Sequence, residues 1–314
     1  MKRYILSAAA ILCVVLPSIL RAQSGWQIQL PPSLKHLYSV DFLNRNVGYA
    51  CGQAAVLYTS DGGTTWAEQT IPTKYKLYSI CAIDANYAMV AGRDGTILRT
   101  TDGGQNWSQQ LCEDTKVMPL KSTAFVDSLT GWMVGWYGTI IHTASGGNKW
   151  TKQVSPTNVF LNKIAAVNKS TAVAVGEYGV IIRTTNEGKT WQTLMSGTRD
   201  SLYGVCVVKQ HPNKLFAVGD RGTIVRSNDG GATWDCVMSP TQKGLLDITF
   251  ADEQHGIAVG ADGTIIHTDD GGTTWTQEHC PVQTHLNSVC MVDAYHATIV
   301  GVNGTILHTT TGGK

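Results

Sequence analysis

The residues in this sequence with a capacity for chemistry recur at fixed places. They are an acidic residue in a Gly-Gly turn, a variable pair between two glycines, a basic residue closing a strand, and scattered cysteines. The acidic turn reads Thr59-Ser-Asp61-Gly-Gly63-Thr-Thr-Trp66, and it returns at Thr100–Trp107, Ser227–Trp234 and Thr268–Trp275 around Asp102, Asp229 and Asp270. A calcium loop needs carboxylates at alternating positions and a distal Glu; one Asp followed by glycines does not supply them. The carboxylate is expected instead to accept hydrogen bonds from its own turn while the glycines take positive φ. Ser145 and Asn186 replace the Asp in two further turns, ending at Trp150 and Trp191, and both can still bond locally. Outside the first 22 residues there are seven cysteines: Cys51, Cys81, Cys112, Cys206, Cys236, Cys280 and Cys290. None forms a Cys-x-x-Cys, and no Cys/His cluster has zinc spacing, so neither metal nor cofactor is expected. Cys81, Cys206 and Cys290 each fall four residues after a repeat leucine. They are expected as small buried residues near a central axis rather than as disulfide partners.

The elements that must hold these groups follow from a repeat. Trp26, Trp66, Trp107, Trp150, Trp191, Trp234 and Trp275 are spaced by 40, 41, 43, 41, 43 and 41 residues. Leu37, Leu77, Leu120, Leu161, Leu202, Leu245 and Leu286 keep the same step. A period near 40 also suits helical repeats, but each unit is rich in Val, Ile, Thr and aromatics and broken by glycine, which favours short strands. Four strands can be read per unit, as in Leu245–Phe250, Ala258–Gly260, Thr264–His267 and the stretch from Trp275. The expected fold is therefore all-β: a seven-bladed propeller of four-stranded antiparallel blades over residues 23–314. The last repeat stops at Lys314, before its tryptophan, and Ser24–Leu30 around Trp26 matches the missing fourth strand. Closing the ring by pairing the two termini would remove both exposed sheet edges, and a monomer is expected.

Lys2 and Arg3, the apolar run Ile5–Leu20 and Arg21-Ala22 read as a signal peptide over residues 1–22. Export to the periplasm or beyond the cell is the resulting expectation. The run lies near the lower limit for spanning a bilayer, and Leu12 before Cys13 lacks the small residue of a lipoprotein signal. Without those residues 21 Lys+Arg face 23 Asp+Glu, a formal charge of −2. No basic field invites nucleic acid.

In such a blade the turns between strands two and three share a face with the crossovers to the next blade, and the acidic turns lie opposite. The former are Gly-x-x-Gly units, for example Gly92–Gly95, Gly135–Gly138, Gly176–Gly179 and Gly219–Gly222. Turn geometry accounts for the glycines, whereas the varied central pairs do not follow from the fold. Arg93, Trp136, Tyr137, Glu177, Tyr178, Asp220 and Arg221 are accordingly the candidate recognition residues. A ring of one residue per blade, Tyr58, Arg99, His142, Arg183, Arg226, His267 and His308, is expected to be structural because it recurs in every blade.

The acidic turn with its tryptophan is the Asp-box of BNR-repeat proteins. The full pattern Gly-x-x-Gly-Thr-Ile-x-x-Thr-x-Asp-Gly-Gly-x-x-Trp at Gly92–Trp107 and Gly260–Trp275 resembles the photosystem II stability/assembly factor-like family of BNR propellers, over essentially the whole mature chain. The resemblance implies a non-enzymatic scaffold that binds a protein partner, such as a membrane-protein precursor, during assembly. It also implies an arginine patch, to which Arg93 and Arg221 could contribute by position alone. No residue specifies a photosystem partner. Sialidases share the Asp-box, so the rival expectations are a sialidase-like glycoside hydrolase or a carbohydrate-binding propeller. An arginine triad, a Tyr/Glu pair and an Asp acid would be needed for hydrolysis. The Arg-Ile-Pro segment of that family is missing, and short uniform loops leave little material for a deep cleft.

Overall fold

The computed structural model describes residues 25–115 and 118–314; the expected signal peptide lies outside them. Seven antiparallel sheets of four strands each are present. Each begins with a marker-leucine strand: Leu37–Phe42, Leu77–Ala82, Leu120–Phe125, Leu161–Ala166, Leu202–Val208, Leu245–Phe250 and Leu286–Met291 in blades one to seven. In blade seven the order runs from Leu286–Met291 through Ala297–Gly301 and Ile306–Thr309 to Gln27–Gln29. The N-terminal strand pairs with the C-terminal one in the register Gln27↔His308, Ile28↔Leu307 and Gln29↔Ile306. The expected closure is what the structure shows.

The core lies between blades rather than within them. Leu37, Val40 and Trp66 of blade one pack with Cys290, Val300 and Ile306 of blade seven, and Tyr49, Cys51 and Val56 pack with Leu77, Val90 and Trp107 of blade two. Every blade thus supplies half of two cores, and burial at about 25 cal/mol per Å² rewards neighbours only as pairs. The box tryptophans, at most 8% exposed, wedge into these interfaces. Trp26 closes the interface between blades six and seven beside Ile257 and Val259. The Trp66 indole N–H reaches Gln29 of the closing strand at 3.3 Å, and the Trp191 N–H reaches Gln153 at 3.0 Å.

The acidic turns fold as expected. Asp61 Oδ1 accepts the Thr65 N–H at 2.9 Å and Oδ2 the Thr65 hydroxyl at 2.7 Å; Asp102 and Asp229 do the same for Asn106 and Thr233. Burial pulls Asp270 upward, yet the hydroxyl and amide of Thr274 prevail and hold it down at about 2. Ser145 accepts the Lys149 N–H and Asn186 the Thr190 N–H, both at 3.0 Å. One position departs from this economy. Glu187, at φ 63°, stands where the Asp61 turn carries Gly62 at φ 72°, and a side chain there is strained.

Two members of the recurrent polar ring bridge neighbouring blades. Arg99 donates to Asn148 and Arg183 to the Gly230 carbonyl at 2.8 Å, each in the acidic turn of the following blade. A second inter-blade ring lies on the axis. Ser39, Ser79 and Ser122 each accept an N–H from the next blade, from Ile80, Thr123 and Ile164, all at 3.2 Å. The same position holds Lys163, Gly204 and Asp247 in blades four, five and six. A Cβ at Gly204 would lie 2.9 Å from the Asp247 Cα. Its absence lets Lys163 pass blade five and pair with Asp247 at 2.9 Å across the channel.

Deleting residues 23–30 removes Trp26 and reopens a sheet edge, so size-exclusion chromatography should show association and thermal unfolding should begin earlier; an unchanged monomer with an unchanged melt would refute closure. Replacing Glu187 by Gly should stabilise by about 1 kcal/mol, raising the melting temperature by roughly 2–4 °C; a lower melting temperature would show that the Glu187 side chain contributes more than its backbone strain costs.

Candidate functional site

Each Gly-x-x-Gly unit ends in a tight turn in which the second x and the closing glycine are both left-handed. In blade three the Thr139 N–H bonds the Trp136 carbonyl at 3.1 Å, with Tyr137 at φ 54° and Gly138 at φ 66° between them. This is the type I′ geometry that suits a hairpin twist and favours Asn-Gly or Asp-Gly. The turn is pinned against the crossover to blade four, since a Cβ on Gly138 would lie 2.0 Å from the Thr157 carbonyl oxygen. Blades two, six and seven use the favoured residues, with Asp94, Asp262 and Asn303 at φ 53–56°. Blades three, four and five place Tyr137, Tyr178 and Arg221 there, at φ 54°, 58° and 53°. A bulky side chain in this region costs on the order of 1 kcal/mol. Three consecutive blades therefore carry strain that a single Asn would relieve.

The candidate recognition residues divide accordingly. Arg93, Trp136 and Tyr137 come together in one cleft of about 400 Å³ with Tyr78, Asp94 and Pro119. Trp136 stacks on Phe160 at 4.7 Å and 9°, and Tyr137 meets the same ring edge-on at 5.3 Å. Phe160 escaped sequence reasoning because it sits in a crossover, one residue before a marker leucine. Glu177 with Tyr178 and Asp220 with Arg221 occupy the next two turns of the same face and do not join that cleft. Tyr178 is 70% exposed and Tyr137 60%. Arg221 pairs with Asp200, which also accepts the Thr223 hydroxyl at 2.7 Å, and Asp220 accepts the Tyr203 hydroxyl at 3.2 Å.

The axial channel has two mouths. The one on the turn face is a pocket of about 260 Å³ lined by the residue after each marker leucine, among them Tyr38, Tyr78, Lys121, Asn162 and Tyr203. Tyr78 borders both this pocket and the Arg93 cleft. Lys163, held by Asp247, lines this pocket and also the larger funnel of about 430 Å³ on the opposite side. Cys81, Cys206 and Cys290 line that funnel, as expected near the axis, and all seven described cysteines are free. Only Cys290 of the three is fully buried; Cys81 and Cys206 are half-buried, because the funnel opens beside them. Burial pushes the Cys81 thiol up to about 12 and raises the other two as well, so these are poor nucleophiles. Among the described residues no group of three or more His, Cys, Asp or Glu is placed to hold a metal ion.

Comparison with known proteins places this geometry in context. No curated protein sequence matches the chain. Among solved structures, YCF48 bound to D1 peptide is 22% identical with a TM-score of 0.77, the likeness covering 91% of this chain and 97% of that one. YCF48 from Cyanidioschyzon merolae is 21% identical with a TM-score of 0.76, covering 90% and 98%. Virginiamycin B lyase from Staphylococcus aureus, 13% identical with a TM-score of 0.77, covers 91% and 99% and shares the fold alone. The sequence profile of the photosynthesis system II assembly factor YCF48 matches residues 19–119, 110–238 and 232–314. With the whole propeller matched, the chain belongs to the photosynthesis system II assembly factor YCF48 family.

Proposed function

We propose that this chain is an exported, non-catalytic propeller that holds a polypeptide segment of another protein, a membrane-protein precursor in the course of assembly, on its Gly-x-x-Gly face. The observation that carries this reading is the run of Tyr137, Tyr178 and Arg221 in left-handed turns of adjacent blades. The fold needs only Asn or Asp there, as blades two, six and seven demonstrate. Backbone strain maintained at exposed side chains points to a use for those side chains, and exposed tyrosine and arginine are common anchors of protein interfaces. Membership of an assembly-factor family supports the same reading, as does the D1 peptide carried by a YCF48 structure of the same fold. The basic start and apolar run of residues 1–22 support export.

Relieving the strain should separate stability from binding. Tyr137→Asn and Tyr178→Asn are each expected to stabilise by up to about 1 kcal/mol. The triple variant with Arg221→Asn should lose at least tenfold in capture of its partners from an envelope extract. Photo-crosslinking from position 178 should yield defined polypeptide adducts, and crosslinking from Thr233 on the opposite face should not. Unaltered capture by the triple variant, or binding of glycans in place of polypeptides, would overturn the proposal.

A further inference from the structure

The mouth of the channel on the turn face contains an ammonium group that the fold leaves uncompensated. Lys121 projects from the innermost strand of blade three into the 260 Å³ pocket, with its Nζ 4.4 Å from the centre of the Tyr78 ring. The ring face offers a partial partner. Among the described residues, which include all 23 Asp and Glu of the chain, no carboxylate lies within 4 Å of that nitrogen. Its other charged neighbour is Lys76, of the same sign, and burial together with Lys76 draws the Lys121 pKa below 10.5. The second lysine of the pocket, Lys163, is already neutralised by Asp247 at 2.9 Å. One net positive charge therefore faces the cavity.

The rest of the wall is neutral, and polar apart from Leu246. Tyr38, Tyr78 and Tyr203 line it, the Tyr203 hydroxyl being donated to Asp220 at 3.2 Å. Asn162 and Asn287 each donate an amide hydrogen to a carbonyl, those of Leu202 and Leu37, at 2.9 and 2.7 Å. A half-buried ammonium without a counterion is destabilising, and an apolar residue at this position would form the same strand. Among the described residues no guanidinium lines this pocket to match the charge and geometry of a phosphate.

We infer that the axial mouth is a carboxylate-binding pocket in which Lys121, seated on Tyr78, pairs with the anion. The inference deepens the proposed function, because Tyr78 joins the pocket to the Arg93 and Trp136 cleft on the same face. It rests on that reading only for the source of the anion. An acidic side chain of a bound polypeptide, the free end of that polypeptide and a small organic acid all present the same chemistry.

The test uses the mature chain and follows backbone amide shifts at Tyr78, Lys121 and Asn162 by NMR. The probes are acetate, the blocked peptide Ac-Gly-Glu-Gly-NH2, the peptide Ac-Gly-Gly-Gly with a free carboxylate, and inorganic phosphate. Saturable shifts are expected with the carboxylates, with phosphate at least tenfold weaker. Lys121→Met should lose at least tenfold in affinity while melting no lower than wild type, and Lys121→Arg should retain most of the binding. Affinity should fall as pH rises through the lowered Lys121 pKa, before ordinary lysines near 10.5 titrate. The peptide arms separate side-chain from chain-end recognition, and acetate binding as tightly as either peptide assigns the site to a small acid. Absence of saturable shifts, equal binding by Lys121→Met, or equal binding of phosphate would overturn the inference. If that happened while the strain-relieved turn variants still lost their partner, the binding face would stand without this pocket.

Discussion

Everything in this molecule depends on the ring being closed. Each blade is a thin sheet that buries apolar side chains only against its neighbours, so seven interfaces have to be satisfied together. The interface between blades six and seven is completed by Trp26 from the far end of the chain, and the closing strand is fixed by three paired residues with Ile306–Thr309. The acidic turns serve the same end. A carboxylate that satisfies its own turn sets the following tryptophan, and the tryptophan fills the seam. The axial serines tie each inner strand to the next, and where that pattern lapses in blades four to six the Lys163–Asp247 pair spans the gap opened by Gly204.

A scaffold so constrained leaves few positions free to specialise. The outer strands, acidic turns and polar ring are all committed to holding blades together. What remains is the turn between strands two and three, fixed in backbone shape but not in side chain, and the single position per blade that faces the axial mouth. Both sets lie on one face and both contain groups that the fold does not need. Strained tyrosines occupy the turns of blades three and four, and an unpaired lysine occupies the mouth. The opposite funnel is different in character: its thiols are raised by burial, and Asp41 accepts the backbone N–H groups of Ala82 and Phe42.

Much of this could be read from the sequence because a repeat converts spacing into geometry. Two markers in phase define the blades, and the stretch around Trp26 reads as a fourth strand, the place it takes beside Ile306–Thr309. The polar ring could be assigned to structure because it occurred in every blade, and the hydrogen bonds of Arg99 and Arg183 agree. Features that break the repeat were harder to see. The strain at Tyr137, Tyr178 and Arg221 depends on which residue of the variable pair between the glycines is left-handed, and spacing alone does not separate Trp136 from Tyr137. Lys121 lies in a strand beside a marker leucine and looks like an ordinary alternating polar residue; only the convergence of seven such positions on the axis shows its isolation. The repeat puts Cys81 and Cys206 on the axis, but their half-exposure follows from the funnel's width, which no local pattern encodes.

The central claim is that the chain presents its strained turns to a polypeptide, and amide hydrogen exchange on the complex with a captured partner tests it most directly. Added protection is expected at residues 135–138, 176–179 and 219–222, with the acidic turns at 61–65 and 229–233 unchanged. Protection confined to the acidic-turn face, with the Gly-x-x-Gly turns exchanging as in the free protein, would contradict it.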